Sequence, residues 1–298
     1  MAKNKSSVRK DIRQAGKDLK LIMQQGLSEI SENMIAQISA AMKSLTPSTR
    51  LEALNNIVPE GINAYKADVL DAMVVLSIES LAGARKEVPK AKKVRLTKTN
   101  INQLPPKLRE KIITRNQLLV GRQISDLQSV IEFAYAMNED TTDSDDTVMQ
   151  DMRDSAVGFI DGTAIEAGAN LTAATVINEA REAFFFDDEV LQEIEAFEFV
   201  NGDPVSPICQ DLAGTVFAKD DPDLFRYTPP LHYNCKSAIF PILNGNLGSR
   251  EVTKLEPSKA ELNKYVQFDE HSHHDCEKIS FEKSIEMIHH AGTSSQKC

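Results

Sequence analysis

Hydrophobic positions along the chain fall into two textures. Over roughly the first 185 residues they recur every three or four places, and beyond about residue 187 they come in short runs bounded by Gly and Pro. Leu19, Met23, Leu27, Ile30, Met34, Ile38, Ala41 and Leu45 are spaced 4, 4, 3, 4, 4, 3 and 4 apart. That heptad-type seam predicts one long helix over 11–45, serving either a bundle core or a docking partner. Thr46-Pro47 ends it, because the residue before proline disfavours helix. A short helix is expected over 48–57. A second strong helix is expected over 62–82, where Val69, Leu70, Met73, Val74, Leu76, Ile78 and Leu81 make it apolar nearly all round and therefore buried. Residues 107–138 repeat the helical period with Leu108, Ile112, Leu119, Ile124, Leu127, Ile131 and Ala134. Residues 148–184 do so again, with breaks expected around Gly158, Gly162 and Gly168 and with Asn170 reading as an N-cap for the segment ending at Phe185.

Between these segments, residues 84–107 carry Pro89, Pro105 and Pro106 with little apolar period, which predicts an extended arm. The acidic stretch 138–147 predicts a solvated loop and a boundary. In the last third, Ala196–Val200 alternates and puts Phe197 and Phe199 on one face of a strand. Asn201-Gly202 follows directly, a two-residue hairpin signal. Residues 214–218 and 236–242 are two further short strands. The chain thus reads as α+β: a mostly helical region over 1–147 with a basic arm at 84–106, a small module with short antiparallel strands over 148–245, and a polar tail over 246–298.

The 298 residues carry 34 basic and 44 acidic side chains, a net charge of −10, which argues against a globally basic nucleic-acid binder. The distribution changes that picture. Residues 1–20 sum to +5 and residues 84–124 to +10, whereas 139–154 sum to −6 and 179–198 to −7. No apolar run approaches the roughly 20 residues that span a bilayer, and the basic N-terminus lacks the apolar core of a secretory signal. Four cysteines, Cys209, Cys235, Cys276 and Cys298, are too few for a disulfide scaffold at this length. The expected place of synthesis is a cytoplasm.

Candidate chemistry gathers in one stretch: Asp203, Ser206 and Cys209, then Leu212, Gly214 and Phe217, then Pro229-Pro230, His232, Asn234, Cys235 and Ser237. Cys209, His232 and Cys235 are donors of the kind Zn²⁺ prefers, and the H-x-x-C spacing lets two approach one ion. These three are the candidate metal ligands and zinc the candidate cofactor, in a structural role, with Asp203 or Asp211 as a fourth donor. The alternative is two buried thiols packed as small hydrophobes. An enzymatic alternative is a His-metal nuclease using His232 as general base with Asn234 orienting it. The phosphate loop, nucleophile-elbow and H-E-x-x-H motifs are absent, so a non-enzymatic protein is expected. The tail holds His271, His273, His274, Cys276, His289 and His290 without a fixed spacing partner.

Residues 203–242 as a string, C-x-x-L-x-G-x-x-F followed by P-P-x-H-x-N-C, resemble the signature of the phage Mu protein F-like family of head morphogenesis proteins. The resemblance covers roughly 150–243, and Asn178 and Arg181 fall where such proteins carry an Asn- and Arg-bearing helix. It departs at two positions: Ser206 stands at the first cysteine of the family's C-x-x-C and Ser237 at the last cysteine of its H-x-N-C-x-C. A hydroxyl is a poor zinc ligand beside a thiolate, so the departures weaken the metal site while leaving the fold of the module. The resemblance implies a minor head protein of the virion, made in the host cytoplasm and acting near the portal vertex. Its implied partners are the portal protein, other capsid or scaffold proteins and double-stranded DNA. No membrane or small-molecule substrate is implied. Lys3, Lys5, Arg9 and Lys10, with Arg85, Lys86, Lys90, Lys92, Lys93 and Arg95, are the candidate phosphate contacts, since such contacts need clustered Lys and Arg. The alternative is that these stretches face acidic protein surfaces.

Overall fold

The structure, a computed structural model, describes residues 2–43, 57, 59–89, 100–138, 144–202, 206–221, 224–231 and 235–253. It is α+β. Among the described residues five long helices precede a small three-stranded antiparallel sheet: α1 (Ala2–Met42), α2 (Ile62–Glu87), α3 (Pro106–Asn138), α4 (Asp145–Ile160) and α5 (Thr163–Phe185). A short helix α6 (Asp188–Leu191) then leads into β1 (Ile194–Val200). Helix α7 (Pro207–Asp211), β2 (Val216–Ala218), a 3-10 turn at Leu224–Tyr227 and β3 (Ala238–Leu243) follow. None of the helices among the described residues is long and apolar enough to cross a membrane.

The seam of α1 is buried from Leu19 through Ile38. The helix also begins nine residues earlier than the seam predicts, because Val8, Ile12 and Ala15 continue the apolar face and pack on Ala173, Ala174 and Ile177 of α5 and Phe240 of β3. The seam therefore faces the chain's own core, each buried Leu, Ile or Met removing enough surface to stabilise by about 1.5–3 kcal/mol. Antiparallel packing of α1 and α2 is recorded along their length: Glu60 N donates to Asn33 Oδ1 at 3.1 Å, Tyr65 lies over Gly26, and Asp11 feels the charge of Lys86. Helix α5 also runs antiparallel to α1, with Asn170 against Gly16 and Lys20 Nζ 2.8 Å from Glu166. One apolar cluster takes residues from α1 through α5, including Met23, Met73, Ile112, Met152 and Val176, so the helices on either side of residue 147 share a core.

Several expected boundaries move. Helix α2 continues to Glu87, so Arg85 and Lys86 are helical rather than part of an extended arm. The break near 160 falls only at Asp161 and Gly162, while Gly158 and Gly168 lie inside helices. Gly162 occupies the N-cap of α5 and Asn170 sits within it. A Cβ at Gly16 would stand 2.2 Å from Asn170 Oδ1, so that side chain is spent on a close α1–α5 approach instead of a cap. The helix expected over 48–57 falls almost wholly outside the described residues, as does the chain from 254 onward.

In the sheet β1 is central, in the order β2-β1-β3, both pairings antiparallel. Phe197 faces Phe217 on one side and Pro241 on the other. Proline is tolerated there because β3 is an edge strand. Asn201-Gly202 does not turn a two-residue hairpin, since β1 pairs first with β2, fourteen or more residues later. Gly202 answers a different need: a Cβ on it would lie 1.8 Å from Lys236 O. The beginning of the expected tail folds back, with Thr253 N donating to Val216 O at 2.8 Å.

Two glycines in the bundle predict opposite outcomes. A Cβ on Gly26 would sit 2.3 Å from the ring of buried Tyr65, whose hydroxyl donates to Gln123 at 2.6 Å. Gly26→Ala is expected to cost about 1–2 kcal/mol, overpacking outweighing the helix-propensity gain. Gly83 has nothing within 4 Å of its Cβ position, so Gly83→Ala should gain up to about 1 kcal/mol. Urea unfolding followed by circular dichroism measures both.

Candidate functional site

The described signature residues Cys209, Leu212, Phe217, Leu231 and Cys235 fall in a buried cluster separate from that of the main bundle. Ser206 caps α7, its Oγ accepting from Cys209 N at 3.5 Å, and Pro207 occupies the first turn where its missing N–H costs nothing. This capped single turn fixes Cys209 inward. Gly214, at φ 79°, takes the left-handed conformation that reverses the chain into β2, and its N–H donates to Phe199 O at 2.9 Å. Phe217 then stacks on Tyr227, with centroids 5.2 Å apart and planes at 7°. Cys209, Leu212, Phe217, Leu231 and Cys235 all belong to one buried cluster with Phe197 and Phe199.

Within it the two cysteine sulfurs stand 3.8 Å apart, and both residues are 0% exposed. Ser206 and Ser237 both reach the Cys209 sulfur with their hydroxyls. Ser237 Oγ also accepts from Gly202 N at 3.1 Å, which locks the end of β1 to the entry of β3. The hydrogen bond with Cys235 and then burial push the Cys209 thiol well above its ordinary range.

The helix behind this cluster holds it in place. Asn178 Nδ2 donates to Ala174 O at 2.9 Å and to Ser237 O at 3.2 Å. One turn on, Arg181 Nη2 donates to Ile239 O at 2.9 Å. The two side chains therefore cover the open edge of the sheet with donors, an edge that would otherwise invite another strand. The Arg181 guanidinium also grips both oxygens of Glu87 on α2, at 2.7 and 2.9 Å, and lies over the rings of Phe185 and Phe240 at 5.1 and 4.6 Å.

Zinc is the cofactor that the residue types suggest, and two of its three candidate ligands, Cys209 and Cys235, meet among the described residues. A closed structural site takes four Cys or His ligands. Beside the two thiols, the hydroxyls of Ser206 and Ser237 serve as the α7 cap and the Gly202 acceptor. Among the described residues no group of three or more His, Cys, Asp or Glu side chains gathers about one point. His232, Asn234 and Asp203 lie outside the described residues, and Asp211 is exposed at the end of α7. No protein-family model matches the sequence, and neither a curated protein nor a solved structure matches it.

The candidate phosphate contacts divide. Lys10 is exposed on α1 and Lys86 on the last turn of α2, while Arg85 is half-buried. Antiparallel packing brings Lys10 and Lys86 to the same end of the bundle, where Asp11 feels Lys86. Lys3, Lys5 and Arg9 fall on the first turns of α1; their side chains, and all of Lys90, Lys92, Lys93 and Arg95, lie outside the described residues. Exposed Arg13 and Lys17, within the same basic stretch, join Lys10 along one face at intervals of three and four. Part of the basic stretch 84–124 is consumed internally: Arg115 and Lys111 approach Glu179 of the acidic stretch at 2.8 and 3.8 Å.

Two measurements follow from these buried charges. Arg181→Met leaves Glu87 buried without its cation and is expected to cost about 3–5 kcal/mol in urea unfolding, with Glu87→Gln added to it restoring part of the loss. Burial pushes Glu182 up to about 8; Lys111 opposes the shift and Glu179 adds to it. Between its usual 4.5 and about 8 the folded state holds a proton that the unfolded chain has released. The stability this group contributes is thus full below 4.5 and declines as pH rises toward 8. Glu182→Gln should flatten that decline, and an unchanged pH profile would count against the assignment.

Proposed function

We propose that this chain is a non-enzymatic minor head protein of a phage, acting in procapsid and head assembly near the portal vertex. The reading rests on the 203–242 signature. The single observation that supports it is the packing of Cys209, Leu212, Phe217, Leu231 and Cys235 into one cluster. Five of the residues that carry the resemblance thus pack together. Helix α5 adds to this, since Asn178 and Arg181 both bond to the β3 segment. Such a protein works by docking. Its partners are portal, capsid or scaffold proteins, and the exposed Lys10, Arg13, Lys17 and Lys86 offer positive charge to packaged double-stranded DNA. Its locations are the host cytoplasm during assembly and the virion head thereafter.

Quantitative mass spectrometry of purified procapsids and mature heads tests the reading. A few copies per portal in both particles is the expected result, and co-purification with portal protein is expected alongside it. Absence from both particles, together with no portal binding, overturns it.

A further inference from the structure

Substituting two of the signature's four cysteines changes what the remaining pair can do. Four thiolates hold a tetrahedral zinc ion, and two leave that set incomplete. Two are, however, what a disulfide requires. Cys209 and Cys235 sit 3.8 Å apart, sulfur to sulfur, in a cluster shared with Phe197, Phe199 and Phe217. Bond formation brings the sulfurs to about 2.05 Å, a shift of under about 2 Å that side-chain rotation supplies. We infer that Cys209 and Cys235 are a redox pair that closes to an intramolecular disulfide, tying α7 to the segment that enters β3.

The hydrogen bond with Cys235 and burial hold the Cys209 thiol up, which slows its ionisation, and the neighbouring hydroxyls work the other way. Ser206 and Ser237 reach the Cys209 sulfur with hydroxyl groups, which can donate to the charge that sulfur carries as a thiolate. Ser206 also keeps Cys209 N within the α7 turn, and Ser237 keeps Gly202 N, which ties the entry of β3 to the end of β1. With hydrogen peroxide as oxidant, the first thiolate attacks an oxygen and becomes a sulfenic acid as water leaves. The second thiol then displaces the sulfenic hydroxyl as a second water, leaving one S–S bond. With a small-molecule disulfide as oxidant, two low-molecular-weight thiols leave instead, and the protons and electrons balance in the same way. The bond closes a span of 26 residues, from α7 across β2 to the start of β3. Closing it restricts the unfolded chain and so holds the β2 excursion onto β1. Complete burial makes the reaction slow.

The test uses the full chain carrying Cys276→Ser and Cys298→Ser, so that only this pair holds sulfur as thiol. Thiols are counted in denaturant before and after prolonged treatment with hydrogen peroxide, and separately with oxidised glutathione. The expected result is a fall from two thiols to none, an intact mass lighter by two hydrogens, and a tryptic cross-link between the peptides holding Cys209 and Cys235. The chain should remain monomeric on a non-reducing gel, unfold at higher urea, and regain both thiols with reductant. Adding Cys235→Ala, with folding checked by circular dichroism, should leave one thiol and remove the urea shift. Persistence of both thiols, stable glutathione adducts without a cross-link, or linkage between chains would overturn the inference. So would near-stoichiometric zinc in the purified protein that is lost with Cys235→Ala, because the pair would then be metal ligands.

Discussion

The structure depends on one buried cation. Arg181 leaves α5 between two aromatic rings, bonds a carbonyl of β3, and grips the carboxylate that ends α2. Two helices and a strand therefore meet at a single guanidinium, whose planar fork suits a bidentate partner better than a lysine would. The pair is nearly dry, with side chains 3% and 8% exposed, so its worth is not a simple gain. Burial raises the Glu87 carboxyl even against the opposing pull of Arg181, which marks desolvation as the larger effect. Such a pair contributes geometry at a cost in solvation. It fixes where the small sheet sits on the bundle.

From that joint the signature acquires its form. Asn178, one turn before Arg181, holds the carbonyl of Ser237, and the Ser237 hydroxyl holds Gly202. The end of β1 and the entry of β3 are thus set by the helix behind them. The α7 turn then carries Cys209 to Cys235 in the space that remains. The same cluster admits Ala84 and Val88 from the end of α2, so the module is completed by a helix far away in sequence. The uneven charge map has a similar origin. Glu179 of the acidic stretch pairs with Arg115 and Lys111 of α3 at 2.8 and 3.8 Å, so part of the asymmetry is internal pairing.

Much of this was legible in the residue pattern, and the exceptions have physical causes. The α1 seam, the three later helices, and the strand facing of Phe197 and Phe199 follow from period alone. Asn170 misled because a side chain that caps well also fills a gap over glycine, and only the partner Gly16 on α1 decides between them. Gly202 misled in the same way: the tight approach it permits is to Lys236, not to a hairpin neighbour. The site was half visible. Cys209 and Cys235 were paired by their motif, and Asn178 and Arg181 by the family resemblance. Glu87 carried no signal, lying in a basic stretch whose composition argued for an arm. Its role depends on α2 running one turn further and on α5 lying beside it.

The account claims that bundle and sheet are one cooperative unit joined through Arg181. Native-state hydrogen exchange under increasing urea measures this directly, comparing amides of Phe197, Phe199 and Ile239 with those of Leu27 and Met73 in the bundle core. The account predicts that both sets exchange through the same global opening, with one free energy and one urea dependence. A sheet that opens at a distinctly lower free energy while the helices stay protected would contradict it.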